Sequence, residues 1–144
     1  MGFLTRQDII GARDLPYQDE IVPEWPDSNG ESGMVRLHRL QAGDIIKLTN
    51  IMSNRPKSDG MFVMFVFCAH DDQGNRLFPF TNDEEFEQAI AELRTKSMEP
   101  LDRLQRVAMR LNGMLPEQLQ QLKNRLGEAA SAARPTTSPI SSVA

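Results

Sequence analysis

Apolar positions along this chain change their spacing several times, and each change marks an element. Thr5-Arg-Gln-Asp8 reads as a helix start, the hydroxyl accepting from an orphan N–H while Asp8 favours the positive helix end. Ile9, Ile10 and Ala12 supply the side expected to be buried, and Leu15-Pro16 closes the segment. From Glu20 the chain reads as extended. Ile21 and Val22 favour strand, Pro23 confines Val22 to β space, and Trp25 is a large amphipathic anchor. The stretch 26–33 is dense in turn residues. Residues 34–40 then alternate, with Val35, Leu37 and Arg39 on one face and Arg36 and His38 on the other. This predicts a β-hairpin with a long loop, which must pack on helices to persist in water.

Asp44 is the expected N-cap of a helix whose Ile45, Leu48 and Met52 recur at helical spacing. Residues 61–69 are apolar all round, so periodicity does not separate a buried strand from a buried helix. Their β-branched and aromatic content leans to strand, making 71–74 a hairpin turn that leads to 75–78. The alternative is a buried helix that ends near His70.

Thr81-Asn-Asp-Glu84 matches a capping box, and Phe86, Ile90 and Leu93 then share a helical face. Ser97 caps the next helix and Pro100 sits in its first turn. Its apolar stripe is Leu101, Leu104, Ala108 and Leu111, and Asn112-Gly113 supplies a left-handed end. Pro116 opens a third helix bearing Leu119, Leu122 and Leu126, with a stop at Gly127. From residue 128 onward Ala, Ser, Thr and Pro predict a loose tail. The organisation read from this is one domain over 1–127 and a flexible tail over 128–144. The fold class is α+β and mainly helical, a hairpin packed on a small helix bundle.

Composition narrows the function classes. With 144 residues there is room for one modest core, and 40% hydrophobic with 25% charged content suits a globular chain. A net charge of −4 counts against a nucleic-acid binder. The single cysteine, Cys68, lies in the apolar run, as a buried free thiol in a reducing compartment would. The first ten residues carry charge and no sustained apolar stretch, so no secretory signal is expected. The run 61–69 is well short of the roughly 20 residues that span a bilayer as a helix. A cytosolic protein, with no membrane partner, is the default.

No constellation of reactive groups emerges. His38 and His70 have no second ligand at metal spacing; His38 reads as a surface residue, and sequence neighbours such as His70 and Asp71 seldom work as an acid–base pair. Asp71-Asp72 with Gly74 lacks the alternating oxygen ligands of a calcium loop and reads as a solvated acidic turn. Arg103, Arg106 and Arg110 form a stripe suited to nucleic acid or an acidic protein. A solvated face, neutralised by Glu99 and Asp102, is the preferred reading. Met52, Met61, Met64, Met98, Met109 and Met114 fill an irregular core or provide an adaptable binding surface. The leucines of the last helix pack back on the domain or offer themselves to a partner's groove.

With these segments in hand, the chain resembles the tail assembly chaperone family of long-tailed, siphovirus-like bacteriophages. The resemblance rests on Leu4-Thr-Arg6 with Ile9-Ile10, Val22-Pro-Glu-Trp25, Val35-Arg36, the turn from Asp71 to Phe78, and Leu101-Asp-Arg-Leu104 through Arg110-Leu-Asn-Gly113. Their shared order spans most of the chain from Leu4 to about Leu126. The resemblance implies a mainly helical fold with an N-terminal hairpin and tips 61–69 towards helix. It implies no enzymatic activity and no cofactor. The partners it implies are the tape measure protein, kept soluble, and the major tail tube protein; self-association is left open. The expected location is the bacterial host cytoplasm, with the protein absent from the mature virion. Residue-level contacts are expected at Trp25 on the hairpin and at Leu119, Leu122 and Leu126 on the last helix. The rival classes are a structural virion subunit, such as a tail tube or completion protein, and a small nucleic-acid-binding regulator using the arginine stripe.

Overall fold

The computed structural model describes the backbone of residues 1–141 and the side chains of residues 1–128. The fold is mixed α+β and mostly helical. In chain order the elements are α1 (Arg6–Gly11), β1 (Tyr17–Pro26), β2 (Ser32–His38), α2 (Ala42–Ser53), α3 (Gly60–Cys68), β3 (Ala69–His70), α4 (Asp83–Leu93), α5 (Met98–Leu111) and α6 (Pro116–Ser141). Two compact units result, Met1–Asn112 and Gly113–Ala144.

In the first unit a three-stranded antiparallel sheet, ordered β1-β2-β3, packs on α3 and α5. The hairpin pairs Tyr17 with His38 and Ile21 with Met34, as the alternation anticipates. Val22, Val35 and Leu37 are buried on its inner face, whereas Arg39 lies past the strand and is exposed. The hairpin loop is tighter than expected. Asp27 Oδ1 accepts from the N–H of Asn29 and of Glu31, and Gly30 at φ 78° completes the reversal. The chain repeats the device after β3. Asp71 Oδ1 accepts from the N–H of Gln73 and of Asn75, with Gly74 at φ 83°. The acidic turn is therefore a closed backbone reversal, and these bonds to Asn75 and Gln73 hold the Asp71 carboxyl below its ordinary range.

Residues 61–69 depart from the lean to strand. They form helix α3, and only Ala69 and His70 continue as strand beside Leu37 and Arg36. Burial explains the ambiguity: all six residues from Val63 to Cys68 are buried. A helix covered on every side has no polar face to reveal its period.

Three smaller expectations also give way. No residue of α1 is buried, so Ile9 and Ile10 face outward although the Thr5–Asp8 capping box is present. Helix α2 starts from Gln41, with no side-chain cap. Asp44 instead lies within the first turn, 3.1 Å from the Arg76 guanidinium. In α4 the cap is Asn82 rather than Thr81, and Glu85 reaches back to the Thr81 N–H and hydroxyl. The apolar stripes hold. Phe86, Ile90 and Leu93 of α4, and Leu101, Leu104 and Ala108 of α5, are buried, while Leu111 is half-buried.

One charged cluster lies at the core margin. Asp59 is 5% exposed and accepts from Arg94 at 2.9 and 3.0 Å and from Arg55 at 3.1 Å, while Arg55 also grips Glu87. Burial alone would raise the Asp59 pKa, but the two guanidiniums outweigh it and hold the carboxyl below 3.8.

In the second unit, α6 runs on through Gly127. The Glu-Ala-Ala that follows favours helix enough to absorb a glycine costing roughly 1 kcal/mol. For the loose tail read over 128–144, the side chains of 129–141 and all of 142–144 lie outside the described residues. Among the described residues no helix is long and apolar enough to cross a membrane.

Candidate functional site

Trp25 lies at a mainly apolar concavity of the first unit. A shift of register between Val22 and Pro26 carries the strand out of its regular pleat before the turn. Gly33 makes this possible, because its missing side chain leaves room for the Trp25 carbonyl. Just before Trp25, the Glu24 carboxylate takes two hydrogen bonds from Arg103, at 2.8 and 2.9 Å, which tie the hairpin end to α5. That pairing holds the Glu24 carboxyl below its ordinary range.

The half-buried indole meets Phe65 of α3 edge-on, at 5.8 Å between centroids, and Phe65 meets Phe78 in the same way at 5.9 Å. Phe78 and its neighbour Leu77 arrive from the acidic turn, whose exit is fixed by the Leu77 N–H donating to the Ala69 carbonyl at 3.1 Å. Val35 closes the side nearest the sheet, the end of α4 adds Leu93 and Glu92, and the turn after it adds Lys96. The result is an open groove of about 510 Å³ with an aromatic floor. A second trough of about 490 Å³ shares Leu77, Phe78 and Glu92 with it and continues along α4 past Glu84 and Glu85. The rim is therefore acidic on the α4 side. Glu84 makes no hydrogen bond or ion pair among the described residues, whereas Glu85 is engaged by Thr81.

The groove floor offers shape and apolar area to a bulky side chain, and its rim carries both the Glu92 carboxylate and the Lys96 ammonium. Sequence reasoning found Trp25 but not Phe65, Phe78, Leu77 or Leu93 as its companions, which only the topology brings together.

The other predicted contacts lie in the second unit. Leu119, Leu122 and Leu126 are 45, 50 and 62% exposed, an uncovered stripe at spacings of three and four. The remaining candidates are structural in their contacts. Arg103 is held by Glu24, Arg106 by Asp102 and Arg110 by the Gln18 side chain. Of the methionines, Met64 is buried, Met98 is exposed, and Met52, Met61, Met109 and Met114 are half-buried.

His38 is not the surface residue that its strand position suggested. Its ring lies 4.3 Å from that of His70 and 5.5 Å from that of Tyr17, and its Nε2 is buried with no hydrogen-bond partner among the described residues. Burial foremost, then the His70 and Arg36 charges, lower its pKa from 6.5. His70 directs Nδ1 at the Cys68 carbonyl, 2.7 Å away, rather than towards an Asp71 carboxylate. Burial pushes the Cys68 thiol up to about 12, against a weaker opposing contact from the Asn112 amide. Among the described residues no group of three or more His, Cys, Asp or Glu converges to hold a metal ion.

Comparison with protein-family models, with curated proteins and with solved structures finds no match to this chain.

Proposed function

We propose that this chain is a non-catalytic tail assembly chaperone of a long-tailed bacteriophage. In this reading the Trp25 groove takes an apolar helical segment of a client, the tape measure protein, and shields it before the tail tube subunits assemble. The order of motifs in the sequence supports the family reading. The observation that carries the activity is the uncovered aromatic groove between Trp25, Phe65 and Phe78, rimmed by the carboxylates of α4. A groove of this kind accepts one face of an amphipathic helix, with apolar anchors inserted and charged residues matched to the rim. The exposed leucines of α6 give the client a second apolar strip. Reversible shielding needs adaptable surface more than reactive groups.

The test is co-expression with a tape measure protein of a long-tailed bacteriophage. The unaltered chain is expected to raise that protein's soluble fraction and to co-purify with it, and Leu77→Asp in the groove is expected to abolish both effects. No gain in solubility and no co-purification would sink the reading. Mass spectrometry of purified particles adds a second check, since a chaperone is missing from them and a virion subunit stays.

A further inference from the structure

Two imidazoles lie side by side where the short strand β3 meets the hairpin. Their ring centroids are 4.3 Å apart, and the Tyr17 ring of β1 lies 5.5 Å from that of His38. His70 turns Nδ1 to the Cys68 carbonyl at 2.7 Å. A carbonyl only accepts, so Nδ1 keeps its proton in either charge state and a further proton must go to Nε2. His38 Nε2 is buried and has no hydrogen-bond partner among the described residues. A proton placed there finds no acceptor and stands beside a second imidazole.

The surrounding charges do not make up for this. Asp19 of β1 is the carboxylate that favours a charged His38, and it already takes two hydrogen bonds from Arg36, at 2.7 and 3.0 Å. Arg36 itself opposes the proton, as does a charge on His70. Asp71 and Asp72 of the turn line one concavity with His70, and Arg76 is its partner in an isolated bridge. The Asp71 carboxylate is attracted to a charged His70. The closed cluster therefore has a favourable place for one proton, on His70 beside Asp71, and none for a second.

What the pair holds shut is small. Strand β3 meets β2 in two residue pairs, Arg36 with His70 and Leu37 with Ala69. The segment 69–77 is otherwise bonded to itself, Leu77 N–H donating to the Ala69 carbonyl at 3.1 Å and Asp71 N–H to the Asn75 carbonyl at 2.9 Å. Such a miniature hairpin is marginal in water without a sheet beside it. Its other anchors are the buried Ala69 and Arg76, which lies 3.1 Å from Asp44 and 5.1 Å from the Phe67 and Phe80 ring centres. Both sit at the base of the hairpin, so it can pivot there while His70 and the turn leave β2.

We propose that His38 and His70 form an acid-operated latch, in which a second proton on the pair releases β3 and its turn from β2 and loosens the Leu77 wall of the Trp25 groove. Leu77 links the two places, since it lines the concavity of His70 and Asp71 as well as the groove. The inference concerns the wall of the groove and not its occupant, so it fails separately from the client reading. Burial, ahead of the His70 and Arg36 charges, holds the His38 pKa below 6.5 in the closed form. The opened form binds the proton more tightly and gains population as pH falls through 6.5.

The experiment is native-state amide exchange on the full chain, read by nuclear magnetic resonance at about pH 7.5 and about pH 5.5. Each is run with and without urea well below the unfolding midpoint, and protection factors remove the intrinsic effect of pH. At Asp71 and Leu77 protection is expected to fall by about twofold to tenfold between the two pH values, tenfold being the limit for one proton linked at 6.5. It is expected not to respond to the urea, because a local opening exposes little surface. The amides of the buried Leu104 and Ala108 in α5 are expected to respond, since global unfolding frees them. His38→Phe and His38→Gln, neutral at every pH, are each expected to hold the Asp71 and Leu77 protection within about twofold over the same change. Either variant suffices if the other fails to fold. A change of less than about twofold in the unaltered chain overturns the inference. A fall that persists in the variants overturns it too, as does a urea response at Asp71 and Leu77 equal to that of Leu104, which would make the opening global.

Discussion

The carbonyl oxygen of Trp25 occupies the space that a side chain on Gly33 would need. A Cβ built on that glycine would lie 2.2 Å from the oxygen, a distance that backbone must move to relieve. The position of the groove's principal aromatic thus depends on a residue that is not in the groove.

Gly33→Ala is accordingly expected to destabilise the chain by about 1–3 kcal/mol, as overpacking against fixed atoms does. Because Trp25 is the single tryptophan, its emission should shift as the strand end is displaced. Urea denaturation followed by fluorescence measures both. An unchanged midpoint with an unchanged spectrum would show that the strand end absorbs the methyl group freely.

Asp59 gives the chain an acid limb. Its carboxyl is held below 3.8 in the folded state, so on acidification the unfolded chain takes up the proton first. The stabilisation is complete above that range and is lost as pH falls through it. Asp59→Ala should lower stability at neutral pH by about 1–3 kcal/mol, because Arg55 and Arg94 lose their shared acceptor while Arg55 keeps Glu87, and should flatten this part of the acid profile. Denaturation midpoints of both proteins at neutral and acid pH check the sign.

His38 acts in a higher window. Its folded pKa lies below 6.5, so the unfolded chain binds the extra proton as pH falls through 6.5. Stability is complete above that pH and declines below it. The groups that face the ring are His70, Arg36, Asp19 and Tyr17, and only Asp19 opposes the shift. His38→Phe should remove the slope between neutral pH and the carboxylate range, and should relieve the unpartnered Nε2 as well. A slope that persists in the variant assigns it to another group.

Cys68 is expected to resist alkylation in the native protein, because its thiol is buried and ionises only near pH 12. Its labelling rate, read by mass spectrometry, should therefore follow the opening of the core and rise with urea. Rapid labelling without denaturant would contradict the packing of α3.

What the sequence disclosed follows from where water leaves a trace. In α4 and α5 polar residues alternate with Phe86, Ile90, Leu101 and Leu104, so the period is written in the contrast between faces. Val35 and Leu37 disclose β2 likewise. In α3 that contrast is absent from Val63 to Cys68, and β-branched content then pointed to the wrong element. At Ile9 and Ile10 the reverse error arises, since a pattern that usually means burial here lies on a short helix whose residues are all exposed. Trp25 was legible in the site because a lone tryptophan beside a turn is conspicuous. Phe65 and Phe78 were not, because their meeting depends on α3 running beneath the hairpin and on the Asp71 turn returning Leu77 to Ala69.

Asn112 joins the ends of the first unit in a way that its place at a helix terminus did not suggest. Asn112-Gly113 predicts a left-handed cap, yet Asn112 has φ −98° and of the two only Gly113 is left-handed, at 68°. The Asn112 side-chain oxygen accepts from the Leu40 N–H at 2.8 Å while its amide donates to the Ala108 carbonyl at 2.8 Å. The link to Leu40 spans 72 residues of chain, so it forms only after the hairpin and α5 have found each other. It belongs to the late part of folding and acts as a latch on the finished structure. Asn112→Ala should therefore speed unfolding while leaving the folding rate nearly unchanged, which stopped-flow measurements in urea would resolve. A single amide would then add about 1 kcal/mol to the barrier that keeps the hairpin on α5.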